Sequence, residues 1–171
     1  MQASQKIHGF TFYGFTLIEM LVVVAIIAIL SVLALPAAEP KVARAQVLES
    51  LELIDEYKKS VAVYFKATLN FPKDNLEAGI PKAEFLIGNY VDKIDLLQGA
   101  FHIHFGSKAH ATLKDKTLTV RPIVVKGSPE SPMSWVCGYS AIPEGMLASS
   151  LDRTTADPKF LPTYCRSLIV K

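Results

Sequence analysis

Residues 15–35 form the most hydrophobic stretch of the chain, and Glu19 is their only charged side chain. As an α-helix rising 1.5 Å per residue, a run of this length covers roughly 30 Å, the thickness of a bilayer's hydrocarbon core. The sequence therefore predicts a helix that rests in a membrane. A carboxylate within such a helix is costly unless it finds a partner or a proton, which marks Glu19 as a candidate functional residue.

The pattern changes after this run. Pro36 and Pro40 predict a kink, because proline removes a helical hydrogen bond and clashes with the preceding turn. Beyond the prolines, one set of hydrophobic residues recurs at steps of three, four or seven, which is typical of a helix with one buried face. The set is Val47, Leu51, Ile54, Val61 and Phe65. We thus predict an amphipathic helix over residues 36–70, ended by Asn70, Phe71 and Pro72.

Short segments with strand character follow a loop at residues 71–88. They are residues 89–97, 100–105, 117–125 and 133–137, with Gln98 and Gly99 as the tightest turn. Residues 138–171 show little periodicity and are predicted to be a loop. A long helix followed by antiparallel strands indicates an α+β fold, in which the amphipathic half of the helix covers one face of a four-stranded sheet. Residues 71–171 would then form a globular head.

The composition excludes several classes of function but indicates none in particular. Half of the 171 residues are hydrophobic and the formal net charge is +2, which excludes a disordered chain and gives no general reason to expect nucleic acid. No nucleophile elbow, phosphate-binding loop or zinc-protease motif is present, so we expect neither an enzyme nor a cofactor. His102 and His104 alternate with apolar residues, which predicts that both lie on the outer polar face of a strand and bind no metal.

The N-terminal motif is more specific. Gly14-Phe15-Thr16-Leu17-Ile18-Glu19 resembles the cleavage signature of the type IV prepilins, in which a glycine precedes a hydrophobic residue and a glutamate lies four positions beyond that residue. The resemblance implies that residues 1–14 are a leader, removed by a membrane prepilin peptidase that also methylates the new N-terminus at Phe15. It further implies that residues 15–35 are retained as a filament-core helix, that Glu19 serves subunit pairing, and that Pro36 kinks the helix as in related pilins.

Trp135-Val136-Cys137 and the residues before Cys165 are similar to the boundaries of the C-terminal disulfide loop of type IV pilins. The resemblance implies a Cys137–Cys165 bridge, which would stabilise the fold by roughly 3 to 4 kcal/mol in the chain-entropy description. Two free buried thiols are the alternative. The implied fold is a long helix on an antiparallel sheet with a disulfide-closed loop.

The resemblance implies a structural subunit that polymerises with itself, moving from the inner membrane, with a cytoplasmic N-terminus, to an extracellular pilus. The implied partners are the peptidase, an assembly ATPase with its inner-membrane platform, and host or surface receptors, for adhesion, twitching motility or DNA uptake. Arg153, Lys159, Arg166 and Lys171 leave direct DNA contact open, although such charges are usually solvated. The alternatives are a minor pilin, a pseudopilin of type II secretion, and an uncleaved single-span binding protein.

Overall fold

The computed structural model describes residues 14–34 and 39–167. The chain divides into two compact units, residues 1–38 and residues 39–171, and the second is called the C-terminal unit below. In the first unit, helix α1 spans Leu17–Ala34, within the segment predicted to be helical. The predicted kink residue Pro36 and the leader before Gly14 lie outside the described residues.

Helix α2 spans Glu39–Thr68 and begins the C-terminal unit. The predicted apolar stripe is confirmed, because Val47, Leu51, Ile54, Val61 and Phe65 are all buried. Lys58 interrupts the stripe, and its Nζ lies 5.8 Å from the centre of the Trp135 ring. The helix ends at Thr68, two residues before the predicted end, and Leu69 adopts the left-handed conformation with φ of 56°. Its amide donates to the Phe65 carbonyl at 2.8 Å, which closes the last turn.

The four predicted strands are confirmed, although the first and the fourth begin slightly later than predicted. They are β1 (Val91–Leu97), β2 (Ala100–Phe105), β3 (Thr117–Val125) and β4 (Ser134–Cys137), antiparallel and in that spatial order. Gln98 and Gly99 form the β1–β2 turn with φ of 49° and 79°, the conformation of a type I′ turn. A Cβ on Gly99 would also lie 2.7 Å from the Phe71 ring, so both the positive φ and the close approach of Phe71 favour glycine at this position.

A fifth strand was missed by the sequence analysis. Strand β5 (Met146–Ala148) pairs antiparallel with Ile123–Val125 at the end of β3. Short 3₁₀ helices follow at Pro158–Phe160 and Thr163–Cys165, so the description of residues 138–171 as a loop was wrong in part. A strand of three residues is too short for an alternating pattern to stand out, and only its partner strand defines it.

The hydrophobic core of the C-terminal unit lies between α2 and the inner face of the sheet. Ile94, Phe101, Ile103 and Leu118 are each 0% exposed and belong to the same cluster as the buried residues of α2. The predicted α+β architecture, with the amphipathic helix covering an antiparallel sheet, is confirmed. Asn75 fixes the connecting loop to the edge of this layer through hydrogen bonds with the backbone of β1.

Candidate functional site

The first turn of α1 places Glu19 in a reciprocal cap with Thr16. The Thr16 amide and hydroxyl donate to Oε2 of Glu19 at 3.4 and 3.2 Å, and the Glu19 amide donates to the Thr16 hydroxyl at 3.3 Å. This is the geometry of a capping box, which satisfies amides that a helix N-terminus otherwise leaves without partners. The Glu19 carboxylate is therefore held at the N-terminal end of the helix, next to the segment that contains Gly14 and Phe15.

Gly14 and Phe15 precede the helix and have no regular secondary structure. The Gly14–Phe15 peptide bond therefore lies just outside the hydrogen-bonded turns of α1. A Cβ built on Gly14 would meet no atom within 4 Å, so the packing of this chain does not itself require a glycine there. A requirement for glycine would have to come from another molecule that acts on this bond.

The side chains of α1 are exposed along the helix and on all its faces. Leu17 is 80% exposed, Leu30 is 60% exposed, and the apolar residues between them are similarly accessible. A helix that is apolar all round is stable only in an apolar environment, which lipid or other apolar helices can supply. Across residues 14–34 and 39–167, no helix satisfies both the length and the hydropathy needed to cross a membrane.

The C-terminal segment is held by the predicted disulfide. Cys137 at the end of β4 is bonded to Cys165 with an S–S distance of 2.06 Å, and both residues are buried. The Tyr139 amide donates to the Cys165 carbonyl at 3.0 Å, and Gly138 between these elements has φ of 52°. Because a Cβ on Gly138 would lie 2.9 Å from that carbonyl oxygen, the two chain segments approach each other as closely as a glycine permits.

The basic residues of this segment have different environments. Arg166 donates to the carbonyls of Leu161 and Lys159 at 2.8 and 3.1 Å, so its guanidinium holds the fold of its own loop. Arg153 is exposed and lines a cavity beside β2 and β3. Lys171 lies outside the described residues. Because the Arg166 guanidinium already donates hydrogen bonds to carbonyls of its own loop, the segment is a weaker candidate for contact with DNA phosphates than its sequence suggested.

The two strand histidines differ from expectation in one respect. His104 is partly exposed, as predicted, but His102 is only 3% exposed, so its predicted place on a solvated face was wrong. Residues 152–155 run over this face: the Arg153 amide donates to the Thr119 hydroxyl and the Thr119 amide to the Thr154 hydroxyl, both at 3.1 Å. No group of three or more His, Cys, Asp or Glu side chains in the described ranges is arranged to hold a metal ion.

Comparison with known proteins agrees with this arrangement. Residues 43–166 match the family model of pilin, described as a bacterial filament protein, and residues 11–35 match the prokaryotic N-terminal methylation motif. A fimbrial protein of Neisseria meningitidis is 32% identical over 162 residues, covering 90% of this chain and 93% of the relative. The type IV major pilin protein PilE1 of Neisseria gonorrhoeae is 32% identical over 157 residues, with the same coverage. Fimbrial protein EcpC of Eikenella corrodens is also 32% identical and covers 90% of each chain. The chain therefore belongs to the type IV pilins and is a structural subunit of a type IV pilus.

Proposed function

We propose that this pilin is made as a membrane-anchored precursor and is cut between Gly14 and Phe15. Helix α1 then becomes the core of a surface filament, and the C-terminal unit forms the filament's outer layer. The observation that carries the proposal is the all-round exposure of apolar side chains on α1, from Leu17 to Val32. Other copies of the same helix offer an apolar environment outside the bilayer, so assembly exchanges lipid contacts for helix contacts.

Cleavage creates a positively charged amine that can pair with the Glu19 carboxylate. Hydrolysis of the Gly14–Phe15 bond creates an amine at Phe15, and N-methylation leaves an amine that still takes a proton. The carboxylate of Glu19, already held at the N-terminal end of α1 by Thr16, would otherwise enter the filament core without a counter-charge. An unpaired carboxylate in an apolar core costs several kcal/mol. We therefore assign Glu19 to an ion pair with the Phe15 amine of a neighbouring subunit.

This pairing can be separated experimentally from the capping role of Glu19. Glutamine at the third helical position still completes a capping box but carries no charge, so Glu19→Gln removes only the ion pair. Thr16→Ala is the matched variant, because it removes the cap and leaves the carboxylate. Filaments sheared from cells and the membrane fraction of the same cells are compared by immunoblot and electron microscopy. We expect Glu19→Gln protein to remain in the membrane, while Thr16→Ala protein assembles. Normal filaments from Glu19→Gln would refute the pairing role.

Processing is tested by intact and N-terminal mass spectrometry of the sheared material. The expected species begins at N-methylated Phe15 and is lighter than its reduced form by the mass of two hydrogens, because of the Cys137–Cys165 disulfide. If this species dominates the sheared fraction, the chain is the major subunit, as the names of several relatives suggest. An uncut chain in the filaments would overturn the assigned cleavage site.

Assembly of this kind requires partners that the chain does not contain. Moving α1 from lipid into a filament exchanges one apolar environment for another, so burial alone does not drive the step. We therefore assign the energy input to an assembly ATPase acting through an inner-membrane platform, with a prepilin peptidase acting earlier on the cytoplasmic side. Adhesion, twitching motility and DNA uptake are the filament activities that we propose. Each depends on the outer surface formed by the C-terminal unit.

A further inference from the structure

A cavity of about 380 Å³ opens on the face of the sheet opposite to α2. Its lining combines the two strand histidines with charged groups from both flanking segments, namely Asp74, Asp95, His102, His104 and Arg153. All of these residues belong to the C-terminal unit. Neither filament assembly nor the disulfide loop uses this combination of side chains.

The two histidines make the same contact with β3 but differ at the other ring nitrogen. Nδ1 of His104 lies 3.2 Å from the Thr117 hydroxyl, and its Nε2 lies 2.9 Å from Oδ2 of Asp95. Nδ1 of His102 lies 3.0 Å from the Thr119 hydroxyl, but its Nε2 is buried and has no hydrogen-bond partner. A buried polar nitrogen without a partner is rare in proteins and costs free energy.

The hydrogen-bond pattern assigns the proton on His102. The Thr119 hydroxyl oxygen accepts the Arg153 amide, and within the described part of the chain its own proton has no acceptor other than Nδ1 of His102. The neutral ring then carries its proton on Nε2. The cavity wall therefore contains a buried N–H donor that lacks an acceptor, and an oxygen of a bound molecule would satisfy it.

The charged groups around this donor have hydrogen-bond or ion-pair partners at only some of their atoms. Arg153 is exposed, and its guanidinium takes part in no ion pair or hydrogen bond among residues 14–34 and 39–167. Oδ2 of Asp95 is taken by Lys93 and His104, and Oδ1 of Asp74 accepts the Glu77 amide. The second oxygen of each aspartate has no partner in the described residues, so the cavity offers two donors and two acceptors.

We propose that this cavity binds a small polyhydroxy carboxylate, the chemistry of an acidic sugar. The carboxylate of the ligand lies between Arg153 and Nε2 of His102, because a guanidinium and an N–H are the donors that a carboxylate oxygen requires. Hydroxyl groups of the ligand donate to the free oxygens of Asp74 and Asp95. The cavity volume lies within the range of small-molecule sites in proteins. The exposed, unpaired Arg153 side chain is the part of the wall that moves to admit the ligand.

The test uses the full chain in detergent micelles, labelled at histidine, and follows the His102 ring signals by NMR during titration with glucuronate. His102→Asn identifies those signals. We expect saturable shifts with a Kd of about 1 mM or tighter, as few polar contacts allow. Glucose, which lacks the carboxylate, and acetate, which lacks the hydroxyls, should each bind at least roughly tenfold more weakly.

Arg153→Gln is the decisive variant, because Arg153 is exposed and its replacement leaves the core intact. It should weaken glucuronate binding by roughly tenfold or more, whereas Lys159→Gln, a charge removed from the same segment outside the cavity, should not change it. Absence of any His102 shift would overturn the proposal. An equal response to glucose or acetate, or an unchanged Kd in Arg153→Gln, would overturn it as well.

Discussion

Acid should destabilise the C-terminal unit through His102. Burial lowers the pKa of this imidazole from its ordinary value of 6.5 to about 4, and the positive charges of Arg153 and His104 act in the same direction. Asp95 and Asp152 oppose the shift but do not reverse it. Protonation of the folded protein would place a charge on a ring that is 3% exposed, next to a guanidinium.

The sign and size of the effect follow from proton linkage. Between pH 6.5 and about 4, the unfolded chain takes up a proton at His102 that the folded chain does not. The free energy of unfolding contributed by a neutral His102 is therefore complete above pH 6.5 and is lost as the pH falls toward 4. One pKa unit corresponds to 1.36 kcal/mol, so the loss is about 3 kcal/mol at most.

The assay is urea denaturation of the C-terminal unit at about pH 7.5 and about pH 4.5, for the wild type and His102→Asn. Asparagine retains an acceptor for the Thr119 hydroxyl but does not titrate. Carboxylates titrate in both proteins, so their contribution cancels in the difference. We expect the wild type to lose about 2 to 3 kcal/mol more than the variant between the two pH values. If both lose the same free energy, the assignment of the pH dependence to His102 is incorrect.

Three further variants test how the C-terminal unit is held together. Replacing both Cys137 and Cys165 by alanine should lower the free energy of unfolding by roughly 3 to 4 kcal/mol in urea, since the bridge closes a long loop; no change in the midpoint would contradict this. Gly138→Ala should lower the melting temperature, by an amount equivalent to about 1 to 3 kcal/mol, because Gly138 has a positive φ and lies close to the Cys165 carbonyl. Calorimetry measures the melting temperature, and a value equal to that of the wild type would count against the close approach. Asn75→Ala should cost about 2 to 4 kcal/mol and increase hydrogen exchange at the Leu96 amide, which donates to Asn75 at 2.7 Å; unchanged protection of that amide would show that another acceptor replaces Asn75.

Local sequence patterns predicted the elements that are long enough for their residue pattern to be recognised. The stripe from Val47 to Phe65 predicted the buried face of α2, and strand character bounded by turn residues predicted β1 to β3 nearly to the residue. The Gln98-Gly99 pair predicted the β1–β2 turn, because a type I′ turn needs two residues that accept positive φ. The cleavage motif was equally local, since Gly14 and Glu19 have meaning only at a fixed spacing before an apolar helix.

Other features were decided by contacts between distant parts of the chain. His102 alternates with apolar residues as a solvated residue would, yet residues 152–155 cover it through hydrogen bonds to Thr117 and Thr119. Strand β5 exists because the end of β3 extends beyond the residues that pair with β2 and offers free backbone groups on that side. A sequence by itself determines which side chains prefer to be buried over a few residues. Which backbone segment arrives to bury or pair with them depends on loop closure, and only the tertiary structure decides that.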